Sequence, residues 1–275
     1  MWAPADWKGH VLPGTIFILW GLHWLQGSLR LYFSQNPEKY RSLACYGLPG
    51  SPPWPLEGCL HGQAGVFKMA LAFLGGWMEL TFMKRDGFTR LICKPGTPRE
   101  GFINGGTVHN WQHFVSYVGF FVSGAVDIIN YFLPGLSLPE DVEKVFLGLA
   151  FFNEAMLMFL HEKKTPLDRL MHQTLAYAMF GTALPIWAEV VWPQSFLATM
   201  CRVGGALGQG VIFWVIAQTI KMDDVYIVEW DQTNGQDQVL SSYAAVIFVQ
   251  CFVGLQCLFT LTVALFSCRF KQDLA

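Results

Sequence analysis

Charge is scarce in this chain. Only 14% of its 275 residues are Asp, Glu, Lys or Arg, against about 25% in an ordinary soluble domain. The net charge is −2 and there is no basic tail, which argues against nucleic acid as a partner. Polar low-complexity sequence is almost absent, so disorder is excluded as well. The chain has no Asn-x-Ser/Thr acceptor for a glycan, no P-loop, no Rossmann glycine pattern and no Gly-x-Ser-x-Gly elbow. It also lacks an internal repeat and any compact zinc motif such as His-Glu-x-x-His. No cleavable leader pattern precedes the first apolar run, which is therefore expected to be a retained signal anchor.

What the sequence holds in abundance is apolar. Hydrophobic residues make up 53%, with 23 Phe and 11 Trp. A bilayer-spanning helix needs about 20 mostly apolar residues, and seven segments meet that length: 11–29, 65–83, 109–133, 142–161, 168–192, 195–220 and 239–268. The expectation is an all-α polytopic membrane protein, one bundle of seven transmembrane helices over residues 1–275, with the lipid bilayer as partner. Lys8, the loop 84–99, the turn 163–169 and Lys221 set ten cations on one side against six on the other, which places the N-terminus in the cytosol. The first loop, 34–62, carries the proline-rich run 49–55 and is expected to form an irregular cap. Its Cys45 and Cys59 form a disulfide or stand as two free thiols. The acidic stretch 223–237 is expected to be a solvated loop, and Trp24, Trp111 and Trp192 to be belt residues at the membrane interface.

Ionisable groups within a span are costly and are functional candidates by default. Sorted by depth, they form two layers. On the cytosolic side lie His10, Glu79, His113, His161 and His172, with Glu154 about 10 Å deeper than His161 at 1.5 Å per residue. Helical phase puts Glu154 and His161 on one face, and likewise Asp168 and His172. This set suits a zinc-like site with His113, His161, His172 and Asp168 as candidate ligands and Glu154 as acid/base. Each residue also has an ordinary alternative: an interfacial imidazole, a helix N-cap at Asp168, or an ion pair at Glu154. The outer layer holds Lys68, Asp127, Glu189 and Arg202, two cations and two anions that read best as ion pairs between helices. The small-residue run 204–210 permits close helix packing.

These segments resemble the transmembrane protein 45 family. The carrying residues are Lys-Gly-His-Val-Leu-Pro-Gly at 8–14, Asn-Trp-Gln-His at 110–113 with Tyr117, and Glu154 with His161. Pro-Leu-Asp at 166–168 with His172, and Glu-Trp-Asp-Gln at 229–232, complete the set. The resemblance implies a multi-pass protein of Golgi, endosomal or plasma membranes with no established biochemical activity. Relatives carry further histidines where Glu162, Lys163 and Arg169 stand here, and the first two cytosolic loops differ in length. Three classes of function follow: a non-catalytic trafficking or scaffold protein, a membrane-embedded zinc hydrolase of a lipid-like substrate, and a proton-coupled carrier.

Overall fold

The computed structural model describes residues 4–34, 39–46, 57–81, 91–136, 138–161 and 166–222, and of the C-terminal stretch 249, 253–254, 256–265 and 267–268. Six long helices account for most of it: α1 (Pro4–Ser34), α2 (Glu57–Thr81), α3 (Val108–Phe132), α4 (Val142–Phe159), α5 (Pro166–Val191) and α6 (Phe196–Met222). A shorter apolar helix, α7, covers Gln256–Leu265. Among the described residues there is no strand, only an isolated bridge between Ile92 and Ile103. The breaks fall where the chain chemistry demands. Pro134 follows α3 and Pro193 follows α5, because proline cannot donate to the preceding turn. Pro166 opens α5, the position where a missing N–H costs nothing.

The helices pack as an open sequence of neighbours: α2 on α3, α3 on α4, α4 on α5, α5 on α6, and α6 on α1. Glycines allow the closest approaches. A Cβ on Gly14 of α1 would come within 2.9 Å of the Gly210 carbonyl of α6, and one on Gly65 of α2 within 2.7 Å of the Gly124 carbonyl of α3. In the run 204–210, Gly205 approaches the Gly181 carbonyl of α5 in the same way. Such small-residue contacts let backbones meet where lipid gives no hydrophobic drive. The sequence of neighbours does not close extensively between α1 and α2.

Polarity is distributed inside out. Leu12, Val66, Phe73, Val122, Leu184 and Leu197 are exposed, while Lys68, Asp127, Lys144, Glu154, Glu189 and Arg202 are buried. An apolar exterior around buried charge suits a bilayer as solvent. Among the described residues, three helices are long and apolar enough to cross a membrane, α3 and most of α5 and α6, where the sequence predicts seven spans. The physical reason lies in the dilution of the others. α2 carries Glu57, Lys68 and Glu79, and the 18 residues of α4 carry Glu143, Lys144 and Glu154. In α1 the run 9–29 is uncharged, and it is Pro13, His23 and Gln26 that lower its hydropathy. Half of the expected span 239–268, and all of the loop 223–237 and of the run 49–55, lie outside the described residues. Trp24 corrects the belt expectation: it is fully buried, with the Arg202 guanidinium 4.5 Å above its ring.

Candidate functional site

A cavity of about 610 Å³ fills the gap between α1 and α2, within the usual range for a small-molecule site. It extends along α1 from His10 to His23, a rise of about 20 Å for thirteen residues. At one end stand His10, Glu79, His113, Glu154 and His172, the histidine end. Its waist is built by Phe17, Trp20 and Phe120, whose rings pack with Phe151 at centroid distances of 5.1–5.8 Å. The far end holds His23, Trp24, Cys45, Tyr46 and Lys68, and is termed here the cap end. Leu19 and Phe67 line the cavity yet are 61% and 66% exposed. They therefore mark its lateral mouth.

At the histidine end four imidazoles, from α1, α3, α5 and the residues just after α4, form a row. Ring centroids are 5.3 Å apart for His113 and His161, 5.6 Å for His161 and His172, and 5.4 Å for His172 and His10. Their nitrogens have defined partners. His172 Nδ1 lies 2.8 Å from the Asp168 carbonyl oxygen and 2.9 Å from its carboxylate. A carbonyl only accepts, so Nδ1 carries the proton and Nε2 is an acceptor in the neutral ring. His10 Nε2 then donates to His172 Nε2 at 3.3 Å. His161 Nδ1 meets Gln112 Oε1 at 2.5 Å. Glu79 takes the Asn110 side-chain amide at 3.1 Å and faces His113 Nδ1 at 3.3 Å. Glu154 is different: it is buried, and its Oε2 has no hydrogen-bond partner.

The cap end is built from matched charges. Lys68 of α2 meets Asp127 of α3 at 2.5 Å and donates to Ser123 at 3.0 Å. Arg202 of α6 meets Glu189 of α5 at 2.9 Å, both fully buried. The same guanidinium donates to the Leu43 carbonyl at 3.1 Å and the Tyr46 hydroxyl at 3.3 Å, so it anchors the segment 39–46. That segment is latched elsewhere by Tyr40 to Thr199 at 2.8 Å, and by Lys144 to Ser42 at 2.9 Å. Asp141, at a left-handed φ of 60°, is held by Arg41 at 2.8 Å and Lys144 at 2.9 Å. Burial pushes the Tyr40 and Tyr46 hydroxyls up, and the Cys45 thiol up to about 11. Cys45 is a free thiol.

Of the residues singled out in the sequence, His10, Glu79, His113, His161 and His172 come together, and Glu154 faces the same cavity. The candidate metal ligands His113, His161, His172 and Asp168 stand in a row rather than around a point. Among the described residues no three His, Cys, Asp or Glu side chains are grouped to hold a metal ion. Asp168 lies within the first turn of α5 and turns to His172. Sequence reasoning did not single out Gln112 and Asn110 as functional groups, although both sit in the Asn-Trp-Gln-His segment. It also gave no role to the aromatic waist, whose three rings are ordinary among 23 Phe and 11 Trp. The direct contact of His10 with His172 has no local signal, since 162 positions separate them.

Residues 140–268 match the profile of a family described as "Family of unknown function (DUF716)". This is the family to which the transmembrane protein 45 proteins belong. The matched region runs from the start of α4 through α6 and the described part of the C-terminal stretch. It includes Glu154, His161, Asp168, His172, Glu189 and Arg202, and leaves out His10, Glu79 and His113.

Proposed function

We propose that this chain is a seven-span membrane protein that takes a lipid-like, single-chain amphiphile into the cavity between α1 and α2. The observation that carries this reading is the make-up of the cavity: a polar end, an aromatic waist and a mouth edged by Leu19 and Phe67. A chain in the waist exchanges one apolar surrounding for another, and a head at the histidine end finds hydrogen-bond partners. The protein then acts as a non-catalytic binder or sorter of its amphiphile, with a role in trafficking at the Golgi, endosomal or plasma membrane. Loop cations support a cytosolic N-terminus, which turns the histidine end to the cytosol. A proton-coupled carrier is the less favoured use of the same space, because Phe17, Trp20 and Phe120 interrupt any polar path from Glu154 to Lys68.

Mass spectrometry of the full chain, purified in mild non-ionic detergent, tests the reading. The expected result is about one equivalent of a co-purifying amphiphile, displaced in Ala64→Trp, which fills the wall near the mouth. Wild-type protein that is folded yet binds no single-chain amphiphile overturns it.

A second reading, zinc-dependent hydrolysis, has one observation in its favour. His10 Nε2 and His172 Nε2 are 3.3 Å apart, close to the separation of two tetrahedral zinc ligands with Zn–N of about 2.0–2.1 Å. The Asp168 carboxylate behind His172 resembles the outer-shell support of zinc-bound histidine. Stoichiometric zinc lost in a His10→Ala/His172→Ala double variant supports this second reading. Folded, metal-free wild-type protein overturns it.

A further inference from the structure

The uptake reading leaves the chemistry of the amphiphile's head open, and Glu154 narrows it. Glu154 lines the cavity, is 7% exposed, and its Oε2 has no hydrogen-bond partner. The other two carboxylates at this end each face an imidazole, Glu79 on His113 at 3.3 Å and Asp168 on His172 at 2.9 Å. Among the described residues lining the cavity, the single Lys or Arg is Lys68, which sits at the cap end and is taken by Asp127. Among the described residues, therefore, no Lys or Arg lines the histidine end to give Glu154 a counter-charge. A buried carboxylate in that condition is costly, and a ligand that brings the cation removes the cost. The neighbouring walls agree, since the rings of Phe17, Trp20, Tyr117 and Phe120 line the same space. Aromatic faces attract ammonium groups.

The geometry points to a long-chain ammonium amphiphile as the ligand, an alkyl amine or amino alcohol whose head sits on Glu154 and whose chain lies along the aromatic waist. This inference rests on the uptake reading and adds the sign of the head. A phosphate or carboxylate head would meet Glu154 as a like charge. It would also compete with Glu79 and Asp168, which already face the His113 and His172 rings.

Three probes of equal chain length separate the possibilities: hexadecylamine, hexadecanol and hexadecanoate. Each is radiolabelled and titrated against the full chain in non-ionic detergent at pH 7. The amine is expected to bind best, by about tenfold over the alcohol, equivalent to about 1.4 kcal/mol, with the fatty acid weakest. In Glu154→Gln the amine preference should collapse to near unity, while Glu154→Asp should keep its direction. If Glu154→Gln fails to fold, the wild-type ranking and Glu154→Asp still decide. Equal binding of all three, or a preference for hexadecanoate, overturns the inference and leaves the uptake reading standing. Failure of all three to bind folded protein overturns the uptake reading itself, and this inference with it.

Discussion

Two groups of ionisable residues stand at opposite ends of the cavity, with Lys68 lining it at one end and His10, Glu79, His113, Glu154 and His172 at the other, and they are built on different rules. At the cap end, Lys68 faces Asp127, Arg202 faces Glu189 and Lys144 faces Asp141, at 2.5–2.9 Å. Two of these pairs join different helices, and Arg202 also carries the segment 39–46 on its remaining donors. At the histidine end, imidazoles stand where the cap end has Lys and Arg, with Asp168 on His172 at 2.9 Å. A carboxylate–imidazole pair stands at 3.3 Å, four rings are in file, and Glu154 Oε2 is unpartnered. Matched charges at close range hold helices together. Titratable rings beside an unmatched carboxylate are poised to meet something else. The contrast assigns structure to one end and ligand chemistry to the other, and it can be broken by substitution.

The largest effect is expected at Arg202. Arg202→Met leaves Glu189 buried without its cation, and removing one partner of a buried pair typically costs about 3–5 kcal/mol. The variant should unfold or aggregate in detergent well below the wild-type temperature. The double variant Arg202→Met/Glu189→Leu should recover most of that loss, because two well-packed apolar residues often replace a buried pair at little cost. Thermal unfolding followed by size-exclusion chromatography reads both. A single variant as stable as wild type would deny the cap end its structural role.

An intermediate effect is expected from pH, again at the cap end. Burial raises the Cys45 thiol from 9.0 to about 11 and moves the Tyr40 and Tyr46 hydroxyls upward as well. An acid raised in the folded state keeps its proton there longer than in the unfolded chain. Its contribution is therefore intact below about pH 9 and lost as pH climbs towards 11, with a size of about 2–3 kcal/mol for the thiol. Stability against pH should be flat to about 9 and then fall, and Cys45→Ala should make the fall shallower. An identical slope in wild type and Cys45→Ala would place the alkaline weakness elsewhere.

Much of this contrast is legible in the sequence, because so little charge is spread over so much apolar length. Helix phase and depth alone bring His10, Glu79, His113, His161 and His172 to one level, and Lys68, Asp127, Glu189 and Arg202 to another. Pairing within a level is not legible. That Lys68 takes Asp127 while Arg202 takes Glu189 depends on which helices are neighbours, and the glycine contacts that decide this lie far apart in the chain. Trp24 shows the limit most clearly. A tryptophan near a span end reads as a belt residue, yet its ring is buried under Arg202, 178 positions away by number. The row of histidines has the same character: each is visible alone, but its order along the row is set by packing. Seven apolar segments also read as equals, whereas charged side chains on α2 and α4, and Pro13, His23 and Gln26 on α1, leave three plainly membrane-length, apolar helices among the described residues.

The smallest effect on stability is expected at Glu154, and that smallness sharpens the contrast most. A buried carboxylate without a partner contributes nothing to holding helices, and its amide analogue avoids the cost of carrying charge there. Glu154→Gln should therefore unfold within about 1 kcal/mol of wild type, on the stabilising side, while Arg202→Met fails. Neighbours argue the same way: Ala155 and Phe151 on the same helix are fully buried and supply its packing, so the fold does not depend on the acid. Thermal unfolding of the two variants side by side, in the same detergent and without added ligand, makes the comparison. Were Glu154→Gln to lose as much as Arg202→Met, Glu154 would be holding the bundle, and the difference between the two ends would disappear. If it unfolds with wild type, the fold does not need the carboxylate, and the binding of the three probes decides whether a cationic head does.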